Sequence, residues 1–457
     1  MVVRITLENQ SGRTSFIALA APWVTIPMKT CTKLNLTYGQ TVSILELKPI
    51  QPHACPTFKA MGESVDMLSL IPSSSIKGYP LYVDEYEESG KRYLRIWYHH
   101  PRGAARQIEL KRHVDMVRLG HLLGQLQAEG DKKNLRVAFK NASITEHGEF
   151  VSGLIELGLS LTTILARCVF NPTKLVHAQE KVIEYSNSYF VATGVEVSSH
   201  NACPTMKGFI AAETFIRSSI LARVLIHAMD EVRRGTAEND RFRQAFLAKL
   251  LSGDGTLDVR KTPHRLDVRI NIVDQNLEYL ADYARILAKE GFIAHVIPGH
   301  ITVRAYCTWL NLITLYQISA FRGNRNWTKL LCAIMIQING RENQGYRRVQ
   351  ELSRFDRFTS ADVSSNYSVG LRSANLWIGT MLRKGLLEKV PKIGGLFKNY
   401  RVSAKGMQMA RTLDNVEQEF TEICRREETG NPEDILQRTK MKVRRTNSGD
   451  RNEAVQR

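Results

Sequence analysis

The chain has 457 residues, 43% of them apolar and 24% charged. That is too long for one ordinary hydrophobic core, and too apolar for a disordered or fibrous chain. Its 63 Lys+Arg against 45 Asp+Glu give a net charge of +18, which points to a polyanion: DNA, RNA or an anionic membrane surface. A basic protein whose charge only keeps it soluble is the plain alternative. Seven cysteines (31, 55, 168, 203, 307, 332 and 424) are odd in number and include no Cys-x-x-Cys. That usage suits a reducing cytoplasm better than a disulfide framework. No apolar run reaches the roughly 18 residues of a membrane span, and the first residues lack a signal-peptide layout. The expected setting is the cytoplasm (the nucleoid, in a prokaryote), with no membrane partner.

Residues 1–50 read as short strands around a helical piece and a turn at Gly39. Ile26-Pro27 precedes the helix, and Leu36-x-x-Gly39-x-x-Val42 follows it. This run resembles the swapped-hairpin module of AbrB-like DNA-binding proteins, and self-association through it is one expectation. A small β-barrel with only a packing role is the other. Residues 51–112 continue β-rich, with strands such as Tyr93 to Tyr98.

Two later segments match each other. Leu119–Asp131 and Phe246–Thr256 are apolar helical runs that keep small residues on one face and end in acid-Gly. Gly124 and Ala128 lie four apart on the first, Ala248 and Ser252 on the second, so each pair shares a helix face. Helices packed through such faces approach more closely than the usual 8–10 Å or so, which would leave Glu129 and Asp254 side by side. After Asp254, Leu266, Val268, Ile270 and Ile272 alternate with Asp267, Arg269 and Asn271, as in a half-buried strand. A helix from Leu277 to Glu290, a strand from His300 and a helix from Trp309 to Phe321 complete that copy. After Glu129 come a strand at 135–140, a helix from Glu149 to Leu157 and a strand at 163–167. A helix from Leu175 to Thr193 and a strand and helix between Gly208 and Val232 follow.

The aligned segments, LLGQLQAEG (122–130) and LAKLLSGDG (247–255), resemble the twin motifs of the LAGLIDADG homing endonucleases. The first departs from the family name at five of nine positions, and the second carries Lys249 where a small residue is usual; both keep the acid. The resemblance implies an α+β fold, a pseudo-two-fold pair of αββαββα units at 113–235 and 236–325. A small β-rich N-terminal region would precede them, the AbrB-like module at 1–50 and a connecting domain at 51–112. Residues 326–412 resemble a winged-helix domain: a Thr359-capped helix, a second helix from Ser373 to Gly385, and a wing at Gly394-Gly395. Residues 413–457 are expected to be a polar, disordered tail, with a basic patch at Lys440 to Arg445.

Phosphodiester hydrolysis needs an activated water and a stabilised leaving alkoxide. Two carboxylates at paired helix ends repel each other, a conflict that divalent cations relieve. The family likeness implies that Glu129 and Asp254 hold Mg²⁺ or Mn²⁺ with the carbonyls of Ala128 and Gly253. It also implies that Lys140 and Asn271 approach the active-site waters and that Arg325 lies beside the scissile phosphate. Arg136, Lys140, Arg260, Lys261, Arg269, Thr302 and Arg304 fall on strand faces or adjoining loops that would meet double-stranded DNA, since β-ribbons fit the major groove. Together these features predict a site-specific, metal-dependent DNA endonuclease. A DNA-binding transcriptional regulator on the same scaffold, without cleavage, is the alternative, and an RNA maturase is a third reading. His53 with Cys55 and His200 with Cys203 invite a zinc reading, although their spacing matches no common finger.

Overall fold

A computed structural model describes residues 2–19, 24, 26–58, 60–99, 106–131, 136–175, 177–235, 239–261, 266–340, 343–391, 398–427 and 431–438. They form a mixed α+β protein that divides into two units, Met1–Gly253 and Asp254–Arg457. The division falls inside the second helix-acid-Gly segment.

In the first unit, strands β1 (Val2–Asn9), β2 (Gly12–Leu19) and β3 (Ser43–Pro49) form an antiparallel sheet in the order β2-β1-β3. Alternate residues Val3, Ile5 and Leu7 pack with Phe16 and Leu34, the period-2 burial expected of a one-sided sheet. The helical piece foreseen there is Met28–Lys33. A second antiparallel sheet joins β4 (Tyr82–Glu88), β5 (Lys91–Tyr98) and β6 (Arg106–Lys111).

Helix α1 (Met116–Glu129) starts at Asp115, whose side chain accepts the Arg118 N–H, a standard N-cap. Next come β7 (Val137–Asn141), α2 (Ile144–Glu156), β8 (Leu165–Phe170) and α3 (Ala178–Thr193). Then follow β9 (Val197–Ala202), β10 (Ile210–Ile216), α4 (Ser219–Arg234) and α5 (Asp240–Gly253). Helix α2 begins five residues earlier than the apolar pattern suggests, because Ser143 caps it by accepting the Glu146 N–H. The sheet order is β7-β10-β8-β9, antiparallel except for the parallel β8–β9 pair. Strand β9 is absent from the sequence reading; Val197-Ser-Ser-His-Asn-Ala202 is largely exposed on both faces and carries no apolar alternation to betray it.

The second unit opens with β11 (Gly255–Lys261), β12 (Leu266–Val273), α6 (Leu277–Lys289), β13 (Ile293–Val296), β14 (Thr302–Tyr306) and α7 (Trp309–Gln317). Its antiparallel sheet runs β11-β12-β14-β13. The two four-stranded sheets therefore differ in strand order, and in the first a helix, α2, lies between β7 and β8 in the chain. Helices α8 (Arg325–Ile338) and α9 (Gln344–Leu352) follow. After them come β15 (Phe358–Thr359), α10 (Ser360–Asn366), α11 (Leu371–Arg383), β16 (Leu387–Val390) and β17 (Asn399–Val402). These last strands form a sheet in the order β15-β17-β16. The foreseen wing tip at Gly394-Gly395 lies outside the described residues. Helix α12 (Ala404–Glu427) runs well past residue 412, and residues 432–438 are helical as well; the basic run from Lys440 lies outside the described residues. No helix among the described residues is long and apolar enough to cross a membrane.

Candidate functional site

The first unit brings the two sequence-matched helices together. Three pairs of positions rise in step along α1 and α5, so the helices run parallel with their C-terminal ends adjacent. A Cβ built on Gly120 would lie 2.7 Å from Ala245 Cβ; one on Gly124 would lie 2.4 Å from the Phe246 carbonyl oxygen and 2.8 Å from Lys249 Cβ; one on Gly253 would lie 2.4 Å from Ala128 Cβ. Glycine is thus what permits this spacing. On α1 the contact row is Gly120, Gly124 and Ala128, which includes the two small residues singled out from sequence. On α5 the row is Ala245, Lys249 and Gly253 rather than Ala248 and Ser252. Ser252 instead turns its hydroxyl back to the Ala248 carbonyl, 2.9 Å away.

Lys249 sits in this seam without disrupting it. Its Cβ passes Gly124, while its ammonium lies 2.9 Å from Glu146 Oε1 and also pairs with Glu149, both on α2. Gln125 Nε2 donates to the same Glu146 carboxylate at 2.7 Å. An apolar stem along the seam and a paired head is how a long cation is accommodated in tight packing.

At the end of the seam, a Cβ on Gly253 would lie 3.5 Å from Glu129 Cγ, so Glu129 stands against the last residue of α5. Glu129 reaches solvent, yet the protein around it displaces enough water to push its carboxyl above the usual carboxylate range. No ion pair to Glu129 occurs among the described residues. Asp254 follows Gly253 directly in the chain.

In the second unit, the strand that follows Asp254 is held from helix α8. The buried Asn326 Nδ2 donates to the Gly255 carbonyl at 3.2 Å, and Lys329 Nζ donates to the Leu257 carbonyl at 3.2 Å and to Asn326 Oδ1 at 3.1 Å. Arg325, the exposed first residue of α8, is therefore tethered through its neighbour to the main chain one residue beyond Asp254. The sequence reading singled out Arg325 and missed Asn326 and Lys329, whose role lies in main-chain contacts that no residue pattern announces.

Each four-stranded sheet carries charged residues on one face, mixed in the first sheet with buried Ala138, Val169, Ala211 and Phe215. On the first, Lys140 and Arg167 both stand opposite Glu213 in register. Lys140 is exposed. Arg136 Nη2 donates to Glu213 Oε1 at 2.6 Å, and Arg167 pairs with the same carboxylate. Arg136, Arg167 and Arg217 lie 5.4, 6.0 and 5.8 Å from the centre of the Phe215 ring, within cation–π range. Arg167 was legible in principle, as the polar member between Ala166 and Cys168.

On the second sheet, register places Thr256, Asp258, Arg260, Asp267, Arg269, Asn271, Thr302, Arg304, Tyr306 and His295 on one face. The opposite face buries Leu257, Val259, Val268, Ile270, Ile272, Val303 and Ala305. Arg269 pairs with Asp267 and lies 5.1 Å from the Tyr306 ring centre, and Lys261 pairs with Glu433. Asn271 is only 9% exposed and commits its amide to Asp258 and Arg304.

Of the residues that invited a zinc reading, His53 Nε2 lies 3.1 Å from the Ile71 carbonyl, and Cys55 Sγ lies 3.5 Å from His227 Nε2. His200 bonds Ser186, and Cys203 bonds Thr205. Among the described residues no group of three or more His, Cys, Asp or Glu side chains is placed to hold a metal ion. In comparisons with known proteins, no family model matches the chain and no curated protein matches it.

Proposed function

We propose that this chain is a site-specific double-stranded DNA endonuclease of the LAGLIDADG homing type, with Glu129 and Asp254 as its paired acids. The observation that carries this reading is the parallel, glycine-spaced seam of α1 and α5, which ends with Glu129 against Gly253. A seam this close is costly to build with ordinary side chains, and it delivers an acid to the very end of the helix pair. The β11-β12-α6-β13-β14-α7 succession after Asp254 supports the reading, as does the αββαββα-type order it shares with the family. The first copy departs from the αββαββα succession, with α2 between β7 and β8 and α3 between β8 and β9, and in its strand order, so the two copies would be only roughly equivalent.

The donor set fits a hard divalent cation. Carboxylate oxygens of Glu129 and Asp254 and the main-chain carbonyls of Ala128 and Gly253 are the oxygen ligands that Mg²⁺ or Mn²⁺ takes. A bound cation also offsets the desolvation that raises the Glu129 carboxyl. When present, such an ion would supply an acidified water and charge neutralisation at phosphorus. The protein's own part is positional. Glycines 124 and 253 set how near the helix ends come, Asn326 and Lys329 hold the main chain after Asp254, and exposed Lys140 and Arg325 offer positive charge to phosphate oxygens. The charge-bearing sheet faces, with Arg136, Arg260, Arg269, Thr302 and Arg304, would take the duplex grooves. The N-terminal β2-β1-β3 module and the α10-α11 helices with the β16–β17 hairpin would add contacts on either flank, in AbrB-like and winged-helix fashion.

A regulator that binds DNA without cutting is the second reading, favoured by the presence of both flanking modules. The full-length chain separates the two when incubated with Mg²⁺ and duplex DNA from around its own gene. The endonuclease reading expects discrete double-strand cleavage, abolished in Glu129→Gln and in Asp254→Asn with DNA affinity retained. Binding without cleavage by the unmodified chain refutes the endonuclease and leaves the regulator.

A further inference from the structure

Resting on the reading that the β11-β12-β14-β13 sheet faces duplex DNA, we infer that Arg304 reads a guanine and that Asn271 and Asp258 are the residues that aim it. Arg304 on β14 stands directly opposite Asn271 on β12, and Asp258 on β11 is diagonal to Asn271. Arg304 Nε donates to Asn271 Oδ1 at 2.9 Å, and Asn271 Nδ2 donates to Asp258 Oδ2 at 3.3 Å. The relay crosses three adjacent strands of a sheet whose other face is core, so its members cannot drift apart without unpacking the sheet.

The chemistry of the relay selects the ligand. Asn271 is nearly buried and uses both ends of its amide, so it cannot rotate to serve another partner. With Nε held, the guanidinium plane is fixed, and the two Nη groups are the donors left over; no carboxylate pairs with Arg304 among the described residues. Two parallel N–H donors on a fixed plane match the O6 and N7 acceptors that guanine shows in the major groove. Adenine presents a donor where guanine has O6, and cytosine presents a donor alone, so neither accepts the pair. Asp258 contributes at one remove: it polarises the amide that holds Arg304 without occupying the fork. The neighbouring cations are arranged differently, Arg269 being paired with Asp267 and Lys261 with Glu433.

Selection of bound duplexes from a randomised pool, with the full-length chain and without divalent cation, tests this. The unmodified chain is expected to prefer guanine at one base pair. Arg304→Ala should lose that preference alone, by roughly 5- to 150-fold in discrimination. Asp258→Asn should weaken the same preference partway, and Arg304→Lys should not restore it, because an ammonium lacks the fork. Arg260→Ala, on the same face, should lower affinity for all sequences alike. Thermal unfolding of each variant shows that the sheet is intact. If folded Arg304→Ala selects the same consensus as the unmodified chain, the guanine assignment is overturned while the DNA reading stands. If the unmodified chain retains no duplex at all, the assignment falls together with the reading beneath it.

Discussion

Replacing Gly124 with alanine tests the seam through the sign of the effect. In an exposed helix, glycine to alanine stabilises by about 1 kcal/mol. At Gly124 the new methyl would lie 2.4 Å from the Phe246 carbonyl oxygen, against the 3.4 Å at which ordinary contact begins. The second obstacle, at 2.8 Å, is Lys249 Cβ, which cannot swing away as the tip of a flexible side chain can. Relief therefore requires moving one helix off the other. Overpacking costs about 1–3 kcal/mol. Two contacts under 3.0 Å, one of them to main chain, put this case at the upper end, about 2–3 kcal/mol, which exceeds the propensity gain and leaves a net loss of about 1–2 kcal/mol. For a unit of this size that corresponds to a fall in Tm of roughly 2–8 °C, read by calorimetry on the full chain. Gly379→Ala on α11 is the control, since a Cβ there meets nothing within 4 Å, and its Tm should hold or rise. Gly253→Ala should act like Gly124→Ala and should also abolish any cleavage, because its methyl would push Ala128 and Glu129 away. A Gly124→Ala protein as stable as the unmodified one would refute the close parallel packing.

Two further outcomes follow from particular contacts. Asn326→Ala removes the donor to the Gly255 carbonyl and should cost about 1–3 kcal/mol. Amide hydrogen exchange at residues 255–257 should quicken selectively, and unchanged protection there would refute the tether. His147 is fully buried, bonded to Thr214 Oγ1 at 2.7 Å and to the Asn141 carbonyl at 2.9 Å, and burial lowers its pKa from 6.5 to about 4. The unfolded chain therefore binds the extra proton first, so the stability His147 confers is complete above pH 6.5 and is lost as pH falls towards 4. The loss should reach roughly 3 kcal/mol. An imidazole that titrates near 6.5 in the folded protein, followed by NMR, would contradict this.

Legibility in the sequence tracked how local the determining physics is. The alternation of Val268, Ile270 and Ile272 against Asp267, Arg269 and Asn271 was visible because one face of β12 is core. Gly124 and Ala128 were visible because four-residue spacing defines a helix face. On the partner helix the family alignment already put Lys249 at a small-residue position, but the face was read as Ala248 and Ser252 rather than Ala245, Lys249 and Gly253. The Glu146 and Glu149 that take the Lys249 charge were hidden because they lie on a different helix. Strand β9 was hidden for a similar reason: its place depends on pairing with β8, not on burial of its own side chains. Asn271 shows the limit for single residues. Its outward position could be read from period 2, but its engagement with Asp258 and Arg304 depends on register between strands that are distant in sequence.

Glu129 and Lys249 meet the same seam with opposite electrostatic outcomes. Lys249 is charged and nearly buried, and the fold answers it with two carboxylates on α2. Glu129 has no ion pair among the described residues, and the protein around it raises its carboxyl. A carboxyl whose folded pKa lies above its unfolded value favours the fold while it is protonated, and that contribution is lost as pH rises through the raised folded value. A glutamine at this position would carry no such pH dependence. On the endonuclease reading proposed above, the acid is there to offer hard oxygens to a divalent cation, and a bound cation would favour its charged form.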